Sequence, residues 1–97
     1  MPKGYFVVRS TVTNAAQFAE FAAKAGAAAI KHGGRFLARG GRVEAPGGDG
    51  RARHVIIEFA SFEAARAYFH SPEYVEASKL RRGAATVDIA IVEGLPE

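Results

Sequence analysis

The sequence predicts an α+β fold, in which a four-stranded antiparallel sheet carries two helices on one of its faces. Segments rich in β-branched and aromatic residues alternate with segments of helical periodicity, in the order strand, helix, strand, strand, helix, strand. Alternate residues along these strands form two sets, and one set is almost wholly apolar, which identifies the face under the helices. Two split β-α-β units of this kind form a ferredoxin-like β-α-β-β-α-β sandwich.

Length and composition favour a small folded domain. The chain has 97 residues, so we expect a single domain over residues 1–97. Because 48% of the residues are hydrophobic and only 24% are charged, disorder is not expected. The absence of cysteine excludes disulfides, thiolate catalysis and sulfur-based zinc sites. No apolar run approaches the ~20 residues of a membrane span and no signal-peptide pattern precedes the first strand, so we expect a cytoplasmic protein.

The first strand is predicted over Gly4–Val12 and the first helix over Ala15–Lys31. The strand is a run of tyrosine, phenylalanine and β-branched residues. Asn14 is a good N-cap for the helix, whose larger apolar residues recur along one face until a glycine pair ends it. Gly26 costs this helix about 1 kcal/mol of propensity, and therefore indicates a close approach to the sheet.

The second and third strands are predicted to form a hairpin. Residues 35–44 alternate between charged and apolar types, and the glycine pair at 40 and 41 predicts a bulge or a bend within this strand. Turn residues fill positions 45–50, and the third strand follows at about residues 53–60.

The second helix is predicted in two pieces, over residues 62–70 and 72–82. The break follows from Ser71-Pro72-Glu73, which has the capping residue, the proline and the acid of a new helix start. The last strand covers residues 86–93 and places its β-branched residues at alternate positions.

The sheet face opposite the helices, which we call the open face, is predicted to be mixed in character. Its apolar members are Tyr5, Val7, Leu37, Ile56, Ala90 and Val92. Its charged or titratable members are Arg9, Arg35, Arg39, His54, Glu58 and Asp88. An apolar patch of this size needs a cover, and the simplest cover is a second copy of the same sheet. We therefore expect a homodimer in which two sheets pair into a dimeric α/β barrel.

Three parts of the chain resemble a known family. They are residues 32–41, residues 55–65 and Ser71-Pro72-Glu73-Tyr74. From about Gly4 to Gly94 the chain is similar to the domain-of-unknown-function family thirteen-thirty. The resemblance implies membership of the dimeric α/β-barrel superfamily, which includes cofactor-free monooxygenases, muconolactone-isomerase-like enzymes, haem-binding proteins and members without known chemistry. It assigns no role to any residue of this chain.

The polar residues of the open face admit two interpretations. In an enzyme, Arg39 and Arg9 would hold an anionic or enolate oxygen, while His54 or Glu58 would move a proton. The catalytic candidates are then His54 and Glu58, and Arg9, Arg39, Tyr74 and Asp88 are the substrate-binding candidates. In a structural interpretation, Arg39 pairs with Glu58 or Asp88 across the sheet or the dimer and only fixes the register.

Aromatic and histidine residues give weaker signals. Tyr68, Phe69 and Tyr74 either line a pocket between the helices and the sheet or belong to the core. His32 and His70 stand at predicted helix C-termini, where a protonated ring is stabilised by the helix dipole. Because the histidines lack the spacing of a ligand pair, no metal site is predicted, and no cofactor is predicted either.

The function predicted from these observations is a small homodimer that binds or transforms a small anionic or aromatic metabolite without a cofactor. The alternative is a non-catalytic binding or assembly module whose charged sheet face only specifies the dimer. Nucleic-acid and membrane partners are not predicted, because the net charge of +3 is scattered along the chain.

Overall fold

The computed structural model describes residues 2–48 and 50–97. Met1 and Asp49, which belong to the predicted chain start and turn, lie outside the described residues. The observed elements are β1 Gly4–Val12, α1 Ala15–Lys31, β2 Arg35–Arg39, β3 Arg53–Phe59, α2 Phe62–Phe69, α3 Pro72–Arg81 and β4 Ala85–Glu93. The predicted α+β order and the broken second helix are both confirmed.

The four strands form one antiparallel sheet in the order β2-β3-β1-β4. In its central part, Phe6 of β1 lies opposite Ile57 of β3 and Ile91 of β4. These side chains belong to the predicted apolar set, and they form the face on which all three helices pack. None of the helices in the described part of the chain is long and apolar enough to span a membrane.

The core is an aromatic cluster centred on Tyr68. Its ring centroid lies 5.1 Å from that of Phe6, 5.2 Å from that of Phe59 and 5.1 Å from that of Tyr74. The Tyr68 hydroxyl donates a hydrogen bond of 3.0 Å to the carbonyl oxygen of Ala25 in α1. One buried side chain thus joins the sheet to all three helices.

Serine and asparagine caps set the starts of the helices. Asn14 accepts a hydrogen bond from the backbone of α1, and Ser61 does the same for α2. The buried Ser71 hydroxyl accepts from the Tyr74 amide at 3.1 Å and donates to the Tyr68 carbonyl at 2.7 Å. Ser71 therefore ends α2 and begins α3 with one side chain, which explains the sharp break between them.

β2 is shorter than predicted, and it contains a bulge at Leu37. Phe36 lies opposite Ile57, whereas Ala38 already lies opposite Ile56, so β2 holds one residue more than β3 across this step. The bulge thus lies before the glycine pair at 40 and 41, while the predicted bend occurs at Gly40, where the strand has already ended. An extra residue in one strand reverses the side-chain alternation beyond it.

The bulge moves Arg39 to the helix side of the sheet. Arg39 lies opposite Val55, whose side chain packs against the core, and Ala38 takes the open-face position instead. The predicted open-face position of Arg39 is wrong for this reason. The strand ends here, and Gly40 turns the chain away with a positive φ of 69° that favours glycine.

A charge cluster ties the end of α1 to the start of α3. Glu73 accepts from Lys31 through one carboxylate oxygen, and His32 Nε2 lies 3.5 Å from the other. The Lys31 hydrogen bond, a bond to the Glu73 backbone and the His32 contact lower the pKa of Glu73 from 4.5 to about 2. Because the folded state lowers this pKa, the stabilisation is complete above about pH 4.5 and is lost as the pH falls towards 2.

We expect Glu73→Gln to weaken the dependence of the free energy of unfolding on pH at acidic pH. Urea unfolding measured from about pH 6 to about pH 2 should show a smaller loss of stability for Glu73→Gln than for wild type. The matched control is Glu63→Gln, since Glu63 occupies the same first-turn position in α2 and forms no ion pair with the described residues. Identical profiles for wild type and Glu73→Gln would contradict the assigned role of the cluster.

Candidate functional site

The sheet divides the predicted site residues into two groups. The open face carries Arg9, His54, Glu58 and Asp88, whereas the helix side carries Arg39 and Tyr74. A ligand small enough to sit on one side of the sheet cannot touch both groups of one protomer. The predicted site residues thus belong to two separate candidate sites.

On the open face, Asp88 pairs with two arginines. Arg9 is its direct cross-strand neighbour, and Arg9 Nη2 lies 3.0 Å from Asp88 Oδ2. Arg51 Nε lies 3.0 Å from the same oxygen, and Arg51 Nη1 donates to the Thr11 hydroxyl at 3.1 Å. The hydrogen bond from Arg51 is the main cause that lowers the pKa of Asp88. The predicted charge pairing across the sheet exists, but its arginines are Arg9 and Arg51, not Arg39.

Glu58 lies in a second polar group further along β3. The Tyr5 hydroxyl donates to Glu58 Oε2 at 3.2 Å, and Arg35 Nε lies 3.9 Å from Glu58 Oε1. His54 stands four residues before Glu58, about 13 Å away at 3.3 Å per strand residue. The two catalytic candidates are therefore too far apart to act on one bond within a protomer. His54 Nδ1 is buried without a hydrogen-bond partner in the described residues.

On the helix side, a cavity opens between α1 and the sheet, which we call the helix-side cavity. Its aromatic wall consists of Phe18, Phe21, Phe36, Tyr68 and Tyr74. The centre of a water molecule can occupy about 50 Å³ of this cavity. The total empty space between the atoms, including the open mouth, is about 420 Å³. Such an apolar pocket with a few polar groups is typical of a small-molecule site.

Arg39 and Arg53 supply the positive charge of this cavity. The Arg39 guanidinium lies 4.2 Å from the ring centroid of Phe36, and that of Arg53 lies 5.3 Å from the ring centroid of Phe18. No carboxylate within residues 2–48 and 50–97 forms an ion pair with either arginine. Arg53 Nε is buried and has no hydrogen-bond partner in the same residues.

Both tyrosines of the cavity stay protonated at neutral pH. Burial raises the pKa of Tyr68 and of Tyr74 above the ordinary value of a phenol. Both side chains are almost fully buried in the core and also border the cavity, so the two interpretations of these residues hold together. A neutral phenol is not a base at this pH. The Tyr68 hydroxyl donates its one proton to Ala25, so of the two tyrosines Tyr74 is the one that can donate to a ligand.

The site predicted from the sequence does not include two residues of the cavity, Ser10 and Arg53. The alternation of side chains along the strands could have placed both there. Arg53 has the same strand parity as Val55, and Ser10 has the same parity as Val8, so both are expected on the helix side. Arg53 counts in the sequence only as one of several basic residues. Across the part of the chain that is described, no three histidine, aspartate or glutamate side chains gather in a way that could hold a metal ion.

The chain matches the family model described as "Domain of unknown function (DUF1330)" over residues 3–95. The chain belongs to this family. The match confirms the predicted family membership. The description of the family names no reaction. No curated protein matches the sequence of this chain.

Solved structures with the same fold include proteins of known and unknown function. A protein of unknown function from Rhodopseudomonas palustris has a TM-score of 0.76 at 19% identity, over 99% of this chain and 85% of its own. A cofactor-independent oxygenase from Streptomyces nogalater has a TM-score of 0.68 at 19% identity, over 100% of this chain and 97% of its own. A dimeric protein of unknown function with a ferredoxin-like fold, from Bacteroides fragilis, has a TM-score of 0.64 at 16% identity, over 94% and 95%. The predicted ferredoxin-like α+β fold is thus confirmed.

Proposed function

We propose that this DUF1330 protein is a cytoplasmic homodimer that binds a small anionic or aromatic metabolite in the helix-side cavity and needs no cofactor to do so. The observation that carries the proposal is an aromatic cavity with two guanidinium groups and no carboxylate paired to them in the described residues. A buried donor without a partner costs about 1–3 kcal/mol, and a ligand that accepts from Arg53 would recover part of that cost.

The aromatic wall supports the choice of ligand. Rings of Phe18 and Phe36 already stack near the two guanidinium groups, so a flat ligand finds both π surfaces and positive charge at the mouth. Similarity to the cofactor-independent oxygenase from Streptomyces nogalater supports the same class of function, since this fold accommodates chemistry without a cofactor there.

In the enzymatic form of the proposal, the roles of the candidates depend on the face. In the cavity, Tyr74 is the neutral hydrogen-bond donor and Arg39 is the anchor for negative charge, while the Tyr68 proton remains on the Ala25 carbonyl. His54 and Glu58 remain candidates for a base only for a ligand held against the open face, between two copies of the sheet.

Filling the mouth of the cavity should abolish ligand binding. Ala22 borders the cavity next to Arg39, so we expect Ala22→Leu to occupy the space a ligand needs. Thermal unfolding is measured with a panel of small phenols, aromatic acids and aliphatic acids. A compound at about 100 times its Kd stabilises the fold by about 2.7 kcal/mol. For a domain of this size that raises Tm by about 10 °C or more.

The control is Ala27→Leu, on an exposed position of α1 away from the cavity. It should retain the full stabilisation by any compound that stabilises wild type. The proposal is wrong if no compound of the panel raises Tm, or if Ala22→Leu responds as strongly as wild type.

The open face supports the homodimer. Leu37 and Val92 expose 45% and 47% of their surface in the protomer, on a face that also holds the apolar Val7 and Ile56. Two-fold pairing of this face would cover the patch and leave Arg9 and Asp88 at its polar part. The dimeric neighbour from Bacteroides fragilis supports such an assembly for this fold.

A negative charge in the patch should separate the protomers. We expect wild type to give twice the protomer mass of 10.3 kDa in light scattering, and Val92→Glu to give the protomer mass. Val75→Glu is the matched control, because Val75 is 49% exposed but lies on α3, away from the sheet. A wild-type mass of 10.3 kDa, or a dimer that persists in Val92→Glu, would contradict this assembly.

The alternative function is a non-catalytic binding or assembly module whose charged sheet face only specifies the dimer. The observation in its favour is the set of ion pairs that joins Arg9, Asp88 and Arg51, which suits a structural role at an interface. Two results together would favour this alternative. Wild type is a dimer and Val92→Glu a monomer in light scattering, while no compound of the panel raises the Tm of wild type.

A further inference from the structure

Ser10 is a buried polar residue of the helix-side cavity. Its side chain is on the helix side of β1, directly opposite Arg53 in the sheet register, and only 1% of its surface is exposed. The described residues provide no hydrogen-bond partner for its hydroxyl. The Ser10 hydroxyl lines the cavity and can donate to a group that enters it, and Arg53 Nε, opposite in the register, is a buried donor without a partner in the described residues.

Two glycines leave room for the two guanidinium groups. A Cβ on Gly26 would lie 2.8 Å from Nη2 of Arg39, which donates to the Ala22 carbonyl at 3.3 Å. A Cβ on Gly40 would lie 2.7 Å from Nη1 of Arg53. The predicted close approach to Gly26 is thus the approach of an arginine side chain from β2. The chain accepts a weaker helix at Gly26, and the guanidinium lies against the backbone there.

The size of the cavity limits which part of a ligand can enter it. A cavity that binds benzene measures about 150 Å³, so the inner space of about 50 Å³ fits a carboxylate but not a ring. A wider depression of about 490 Å³ lies outside, and it shares Phe18, Ala22 and both arginines with the inner space. Its other walls are alanines and a valine of α1 and β1.

We propose that Arg39, Arg53 and Ser10 form a carboxylate site, whose ligand is a monocarboxylic acid with an apolar body that lies in the outer depression. The carboxylate enters the inner space in front of Ser10 and Arg53, and Arg39 closes over it from the mouth. Charge-assisted hydrogen bonds from the guanidinium groups hold it, and no bond is made or broken. This inference rests on the proposed function and names the ligand class of the same cavity.

The test compares an acid with its uncharged amide. Binding of phenylacetate and of phenylacetamide is measured by NMR titration with wild type, Arg39→Gln, Arg53→Gln and Gly26→Ala. We expect wild type to bind phenylacetate at least about tenfold more tightly than the amide, and each arginine variant to lose about tenfold or more. Gly26→Ala keeps both charges but displaces Arg39, so its affinity for the acid should fall as well.

The control is Arg66→Gln. Arg66 is an exposed residue of α2 that forms no ion pair in the described residues, so this variant should bind like wild type. Backbone spectra report whether each variant is folded. Arg39→Lys replaces Arg39→Gln if the latter unfolds, because lysine keeps the charge but not the planar fork and should also bind more weakly.

The outcomes separate this inference from the proposed function. Equal affinity of wild type for the acid and the amide overturns the carboxylate site, while binding in the cavity itself stands. An arginine variant that is folded and binds the acid like wild type overturns it as well. Failure of every compound in the wider panel overturns the proposed function and this inference together.

Discussion

One extra residue in β2 decides on which side of the sheet Arg39 lies. The bulge at Leu37 reverses the alternation of side chains, so Arg39 projects towards α1 and not towards the open face. Without it, the helix-side cavity would keep Arg53 alone, and a second arginine would stand among the apolar residues of the sheet surface. The bulge thus places Arg39 with Arg53 beneath the helices, at the cavity of the proposed function, and leaves the apolar residues of the open face to the proposed contact with a second copy.

The aromatic core makes this division possible. Tyr68 contacts the sheet and α3 through its ring and α1 through its hydroxyl, and the residues that α1 presents to the cavity beside it include alanine and glycine. The space that a larger side chain would fill becomes the cavity. Gly26 weakens the protomer through its low helix propensity, and Arg53 does so through a buried Nε that has no hydrogen-bond partner in the described residues. Such local costs are typical of binding sites.

The sequence predicted the elements well because their signals are local. β1 and α1 begin and end at the predicted residues, and the cap at Ser71 marks the break between α2 and α3. The face of Arg39 was not predictable by the same logic, since a rule of alternation contains no information on where a strand gains a residue. Arg53 and Ser10 were accessible to that rule, but a charged residue and a serine among apolar neighbours do not stand out until a cavity is seen beside them.

The central claim is the side of the sheet on which Arg39 lies, and nuclear Overhauser contacts of its side chain test it most directly. We predict contacts from the Arg39 side-chain protons to the Phe36 ring and to Gly26 of α1, which the short guanidinium distances require. Contacts from the same protons to Ile56 and the His54 ring, without contacts to α1, would place Arg39 on the open face and contradict the account.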